Sequence, residues 1–345
     1  MATTKRSAKK IKAGPTKDEI GDTPADFIAV AARVTSSSAR HVQFESVMNT
    51  SRLAMTAFME LRDKDDGRLP VPVLDKKRIK LSTKISGDKD FYNATYLSLN
   101  NEDYIIAQGP HKDNVGQMWR MVYQDGCQLV VCTVDEKSFS DSDRAKVFNF
   151  FPSGEGKSVQ FLGSRYTVKC NKKQDQKGFV IYDLTLTSTD QYERNEEAEK
   201  EGDDKTRSIT LIHVYDWKND QWPNLDMLAT VLKATWEAEQ KIVKNVSDEY
   251  IPPVVFVGHH GVNRSCAMWV MLMTSKQCER RDSFDIDQIM KQLVRVRPGA
   301  FNDRATFFVT YAMAFKLAMS SGWMTSEEGK QRVSDIQDGY KKLAK

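Results

Sequence analysis

Pro253-Val254-Val255-Phe256-Val257-Gly258-His259-His260-Gly261-Val262-Asn263-Arg264-Ser265-Cys266 is the most informative stretch of this 345-residue sequence. Val254 to Val257 are apolar and mostly β-branched, which predicts a short buried strand. A polar turn carrying Gly258 and Gly261 follows. From Cys266 the residues Ala267-Met268-Trp269-Val270-Met271-Leu272-Met273 form an apolar, helix-favouring run. A strand, a tight turn and a helix start together make an anion cradle. Successive backbone N–H groups point into the turn, and the helix N-terminus adds a partial positive charge. Arg264 stands where its fork can hold two phosphate oxygens at once.

Composition narrows the classes. Hydrophobic residues at 40% and charged residues at 28% suit a soluble globular protein. No apolar run approaches the roughly 20 residues needed to cross a bilayer, and the N-terminus lacks the apolar core of a secretory signal. Cys127, Cys132, Cys170, Cys266 and Cys278 form no CxxC pair or zinc spacing, which predicts reduced, mostly buried thiols in the cytosol or nucleus. A net charge of +4 is too mild to argue for nucleic-acid binding. Residues 1–22 carry Lys5, Arg6, Lys9, Lys10 and Lys12 and read as a disordered basic tail. From Thr23 to about Arg62, Phe27, Val30, Val34, Val47, Leu53 and Phe58 recur at helical spacing. An acid-rich segment, Glu193 to Asp204, reads as a solvated loop. Residues 325–345 read as a charged C-terminal tail with weak helical character.

The central stretch resembles the signature loop of the cysteine-dependent protein tyrosine phosphatases, His-Cys-x-x-Gly-x-x-Arg-Ser/Thr, with Gly261, Arg264 and Ser265 at matching positions. Other segments resemble that family in the right order: Asp75 to Leu81, Phe91 to Tyr96, Tyr104-Ile-Ile-Ala-Gln108-Gly109-Pro110 with Trp119, Asn149-Phe150-Phe151-Pro152, and Ser208 to Trp217. The likeness spans about residues 45–322. It implies an α/β fold in one domain, residues 23–324 with a helical lead-in, built on a twisted, mixed sheet flanked by helices. Val254 to Val257 are then the central strand, ending at the pocket. Alternation predicts strands over 158–170 and 177–187, and apolar periodicity predicts helices over 226–244, 283–294 and 304–319.

The departures from the family pattern fall on its chemistry. Val257 and Gly258 stand where the family has histidine and its nucleophilic cysteine, and glycine has no group to attack phosphorus. The flap that resembles Trp-Pro-Asp reads Trp217-Lys218-Asn219, so the general acid is an amide with no titratable proton. Asp220 is the carboxylate a shifted flap would present. Asn302 replaces the glutamine that positions water, with a shorter arm, and Arg68 replaces the tyrosine that stacks on the substrate ring. Trp217, Asp220, Asn302 and Arg68 are therefore the candidate recognition residues. Gly258, His259, His260, Gly261, Val262, Asn263, Arg264 and Ser265 are the candidate phosphate loop. His259 and His260 read as rim polarity rather than as phosphoryl acceptors, and adjacent histidines do not converge on a metal. Cys266 reads as a small buried hydrophobe. Neither a cofactor nor a metal is expected. The leading expectation is an inactive phosphatase-like domain that binds a phosphorylated protein or docks a signalling partner. A residually active phosphatase and a scaffold that ignores its pocket are the alternatives.

Overall fold

The computed structural model describes residues 58, 71–83, 87–189, 206–218, 221–246, 250–280 and 286–343. The basic tail, the helical lead-in apart from Phe58, Arg68, the acid-rich loop, Asn219 and Asp220 lie outside these. The described residues carry one nine-stranded sheet in the order β1-β2-β3-β9-β4-β8-β7-β6-β5. Its strands are β1 (Arg78–Lys80), β2 (Phe91–Leu99), β3 (Glu102–Gln108), β4 (Leu129–Cys132), β5 (Ser158–Phe161), β6 (Tyr166–Gln176), β7 (Phe179–Ser188), β8 (Thr206–Val214) and β9 (Val254–Gly258). The α-helices whose full span lies among the described residues are α1 (Val115–Gln124), α2 (Leu225–Asn245), α3 (Arg264–Arg280), α4 (Ile286–Val296), α5 (Arg304–Ser320) and α6 (Ser326–Leu343). β9 is parallel to both β3 and β4, and β4 is parallel to β8; the outer pairs are antiparallel. This is the mixed α/β architecture expected.

Continuous apolar runs form the middle of the sheet because both of its faces are covered. Side chains alternate across a strand, so each run divides between two cores. Val254 and Phe256 of β9, Leu129 and Val131 of β4, and Tyr104 and Ile106 of β3 face α2 to α6. Val255, Val257, Val130, Cys132, Ile105 and Ala107 face α1 and the aromatic layer around Phe150. Helix α3 is apolar nearly all round, and Cys266 to Met273 are all buried. Each large apolar side chain in that run stabilises the fold by about 1.5–3 kcal/mol, so the helix behind the loop is firmly anchored. Trp119 donates to the Phe150 carbonyl at 2.8 Å, a packing role.

The alternating stretch 158–170 is two strands rather than one. Leu162, Gly163 and Ser164 take positive φ (52°, 63° and 68°) and turn the chain into a hairpin. Residues 325–345 supply α6, whose Ile336 is fully buried against the core. All five cysteines are buried and unbridged. Among the described residues, no helix is long and apolar enough to cross a membrane.

Candidate functional site

The loop begins where β9 ends. Gly258 lies in register with Gln108 of β3, and its carbonyl accepts from Gly109 N–H at 2.6 Å and Gly261 N–H at 3.1 Å. Gly261 has φ +66°, a conformation that L side chains rarely adopt. A β-carbon there would lie 2.6 Å from both Arg297 Nη2 and Gln108 N. Asn263, at φ 53°, also takes the left-handed conformation that asparagine tolerates. Its side chain ties the loop to the start of α5. Oδ1 accepts from Asn302 N–H at 3.0 Å and Asp303 N–H at 3.1 Å, and Nδ2 donates to Asn302 Oδ1 at 2.5 Å. Asp303 in turn caps α5 by accepting from the amides of Ala305 and Thr306.

Beneath the loop lies Arg297, fully buried. It donates to Gly261 O at 3.0 Å, Thr95 Oγ1 at 3.0 Å and His260 O at 3.4 Å. Burial lowers its pKa to about 10, so it remains a cation at neutral pH. These contacts hold the Gly261 and His260 carbonyls against the buried guanidinium, while the Gly261 amide donates to Gly258 O at 3.1 Å and the Asn263 amide to Ala300 O at 2.7 Å.

The chemistry side of the loop is built differently. A β-carbon at Gly258 would lie 2.7 Å from Ser265 Oγ, 3.0 Å from Ser265 Cβ and 3.4 Å from Thr133 Oγ1. Ser265 therefore fills the space a side chain at position 258 would need. Arg264, only 7% exposed, pairs with Asp135 Oδ2 at 3.2 Å through both terminal nitrogens, and Nη1 also donates to the Trp217 carbonyl. Burial pushes the Asp135 carboxyl up, but the Ser138 hydroxyl at 2.8 Å and the Arg264 guanidinium outweigh it and hold it below the usual range. The ion pair is thus fully formed at neutral pH. Cys132 on β4 and Cys266 on α3 flank the loop, and burial pushes both thiols up to about 12. Neither is a thiolate near pH 7.

His259 and His260 stack with ring centroids 4.3 Å apart, and His259 Nε2 lies 2.7 Å from the Ala145 carbonyl. Trp217 is buried in the core beside α2, while Lys218 is exposed and pairs with Asp216 at 3.4 Å. Loop, flap strand and the start of α5 enclose a cleft of about 1010 Å³. Gly258, His259, His260, Val262, Asn263, Arg264, Trp217 and Asn302 all line it, so the expected residues that are described converge on one place. Gly261 and Ser265 lie behind this lining as its support. Among the described residues no group of His, Cys, Asp or Glu is placed to hold a metal.

Two contributors were not anticipated as site residues. Asp135 closes the ion pair with Arg264, and Arg297 supports the loop. The available signal was topological: Asp135 follows the carboxyl end of a parallel strand beside β9, where side chains gather.

A family profile described as protein-tyrosine phosphatase matches residues 65–316. Receptor-type tyrosine-protein phosphatase zeta of Rattus norvegicus is 23% identical over 267 residues, which cover 74% of this chain and 10% of that protein. Tyrosine-protein phosphatase non-receptor type 20 of the same organism is 22% identical over 264 residues, covering 75% of this chain and 55% of that protein. Tyrosine-protein phosphatase 3 of Dictyostelium discoideum is 26% identical over 147 residues, 41% of this chain and 13% of that protein. The chain thus spans about a tenth of the first of these relatives.

Proposed function

We propose a reading that starts from one premise: the chain belongs to the protein-tyrosine phosphatase family. It is a member that binds a phosphorylated protein segment at its loop without hydrolysing it. One observation carries this. At the end of β9, where the family resemblance puts the nucleophile, stands Gly258, with the Ser265 hydroxyl in the space a side chain there would need. No covalent intermediate can begin at a glycine, and the neighbouring thiols are protonated. The flap sequence adds Asn219 in place of a proton donor. An anion removed from the floor of an anion site favours a dianionic ligand by the sign of Coulomb's law. The five buried, unbridged cysteines fit a reducing compartment, cytosol or nucleus.

Two measurements test it. Purified protein should show no turnover of aryl phosphates or phosphotyrosine peptides; turnover that disappears in Arg264→Ala overturns the inactive assignment. Gly258→Cys alone should restore little, and adding Asn219→Asp should help more than additively, because cooperating groups fail together. Calorimetry should give tighter binding of a phosphorylated peptide than of its unphosphorylated twin. Arg68 in place of a stacking ring predicts weak discrimination between phosphotyrosine and phosphoserine.

The pairing of Arg264 with Asp135 and the Trp217 carbonyl favours a second reading. In it, Arg264 only holds loop, β4 and flap together, and partners dock elsewhere on the surface. Equal affinity for the two peptides, unchanged in a folded Arg264→Ala variant, selects that scaffold role.

A further inference from the structure

The cleft does not stop at the loop. It continues along the first turns of α5, past Ala305 and Val309, to Tyr340 of α6. At about 1010 Å³ it reaches the top of the range for pockets that enclose a whole drug-sized ligand, which is more room than one phosphorylated side chain fills. Helix α6 lies beyond the segment that matches the family, residues 65–316.

The far wall is built and rigid. Tyr340 is buried and meets the Trp222 ring edge-on, with centroids 5.2 Å apart at 76°. Ile336, one turn earlier, anchors α6 in the main core, so the ring is preorganised. Ala305 and Val309 lie at i and i+4 on α5; Val309 is buried in the core, so the accessible apolar surface beside the ring is that of half-buried Ala305. Charge identifies the occupant. Among the described lining residues, Lys218, Arg264, Arg304 and two histidines stand against Asp303, which is engaged in capping α5. Asp216 and Asp135 beside the cleft offset Lys218 and Arg264 in part. Such a surface attracts an anionic segment and orients it before contact.

We propose that a phosphorylated segment of a partner protein lies along this whole cleft, its phosphoryl group over Gly258 to Arg264 and a flanking apolar side chain against Ala305 and Tyr340. The assignment rests on the phosphate-binding role proposed above and adds to it a second subsite that selects the partner's sequence.

The test is calorimetry on the full chain with four peptides. Two carry phosphotyrosine, flanked at the second position on both sides by leucine in one and by glycine in the other; the remaining two are their unphosphorylated twins. The phosphorylated leucine peptide should bind about tenfold tighter than the phosphorylated glycine peptide, as expected for burying one leucine side chain. In Tyr340→Ala that ratio should fall towards one while the glycine peptide binds as before. Ala305→Gln, an uncharged polar change at a half-buried position, should do the same and covers the case in which Tyr340→Ala loses its fold. Equal binding of the two phosphorylated peptides to the native chain overturns the subsite, as does a leucine preference that survives in both folded variants. A leucine preference indifferent to phosphorylation overturns the phosphoryl half of the assignment, and the failure then lies with the binding role rather than with the apolar wall.

Discussion

Gly258 and Gly261 belong to one loop, yet their surroundings make them different kinds of glycine. At Gly261 the backbone itself forbids a side chain: φ is +66°, and a β-carbon would strike Gln108 N and the Ala107 carbonyl carbon at 2.6 and 2.7 Å. At Gly258 the strand conformation is ordinary, and the nearest obstacle is the Ser265 hydroxyl at 2.7 Å, which can rotate away, while the Ser265 β-carbon at 3.0 Å remains a tight neighbour. The first glycine is a condition of the fold. The second is a condition of the chemistry. The backbone of such a loop can therefore be fixed independently of what side chain stands at its first position.

Substitution can break that contrast. Gly261→Ala should be the most damaging change, costing about 3 kcal/mol or more, because left-handed strain and overpacking add. Denaturant midpoints at constant slope measure it. A loss below 1 kcal/mol would mean that the loop is softer than its contacts with Arg297 imply. Next, Asp135→Asn tests whether the ion pair competes with a ligand. The amide can still accept from Arg264 but no longer neutralises it, so phosphopeptide affinity should rise on the order of tenfold. Unchanged affinity would place the ligand away from Arg264. The smallest effect should come from Gly258→Cys, costing about 1 kcal/mol as Ser265 leaves its rotamer. Ser265→Ala in the same molecule should recover most of that, a coupling readable in a double-mutant cycle. Additive costs would show that Ser265 is not what fills the space.

Much of this was legible in the sequence because two-faced burial leaves a plain mark. The run Val254 to Val257 could only be a central strand, and β9 does lie between β3 and β4. The bounds of α2 and α5 follow from their periodicity, and each starts behind a capping side chain, Asn224 and Asp303. What escaped depends on contacts between distant segments. Asp135 is one acid among 47 acidic residues until β4 and β9 pair and carry it to Arg264. The hairpin between β5 and β6 was hidden because Leu162 and Ser164 take turn conformations usually signalled by glycine. Tyr340 looked like part of a charged tail, since α6 is mostly polar and buries only a few side chains.

The position of β9 has a consequence for how the chain folds. Its ladder joins Val254 to Tyr104 on one side and to Leu129 on the other, partners separated by more than a hundred residues of intervening chain. Closing such long loops is slow, because the entropy must be lost before any contact forms. The two halves of the sheet can assemble earlier from their local hairpins, but the loop has no floor until β9 inserts between them. The cleft is then among the last features to appear, and its completed lining reports that the whole domain has closed.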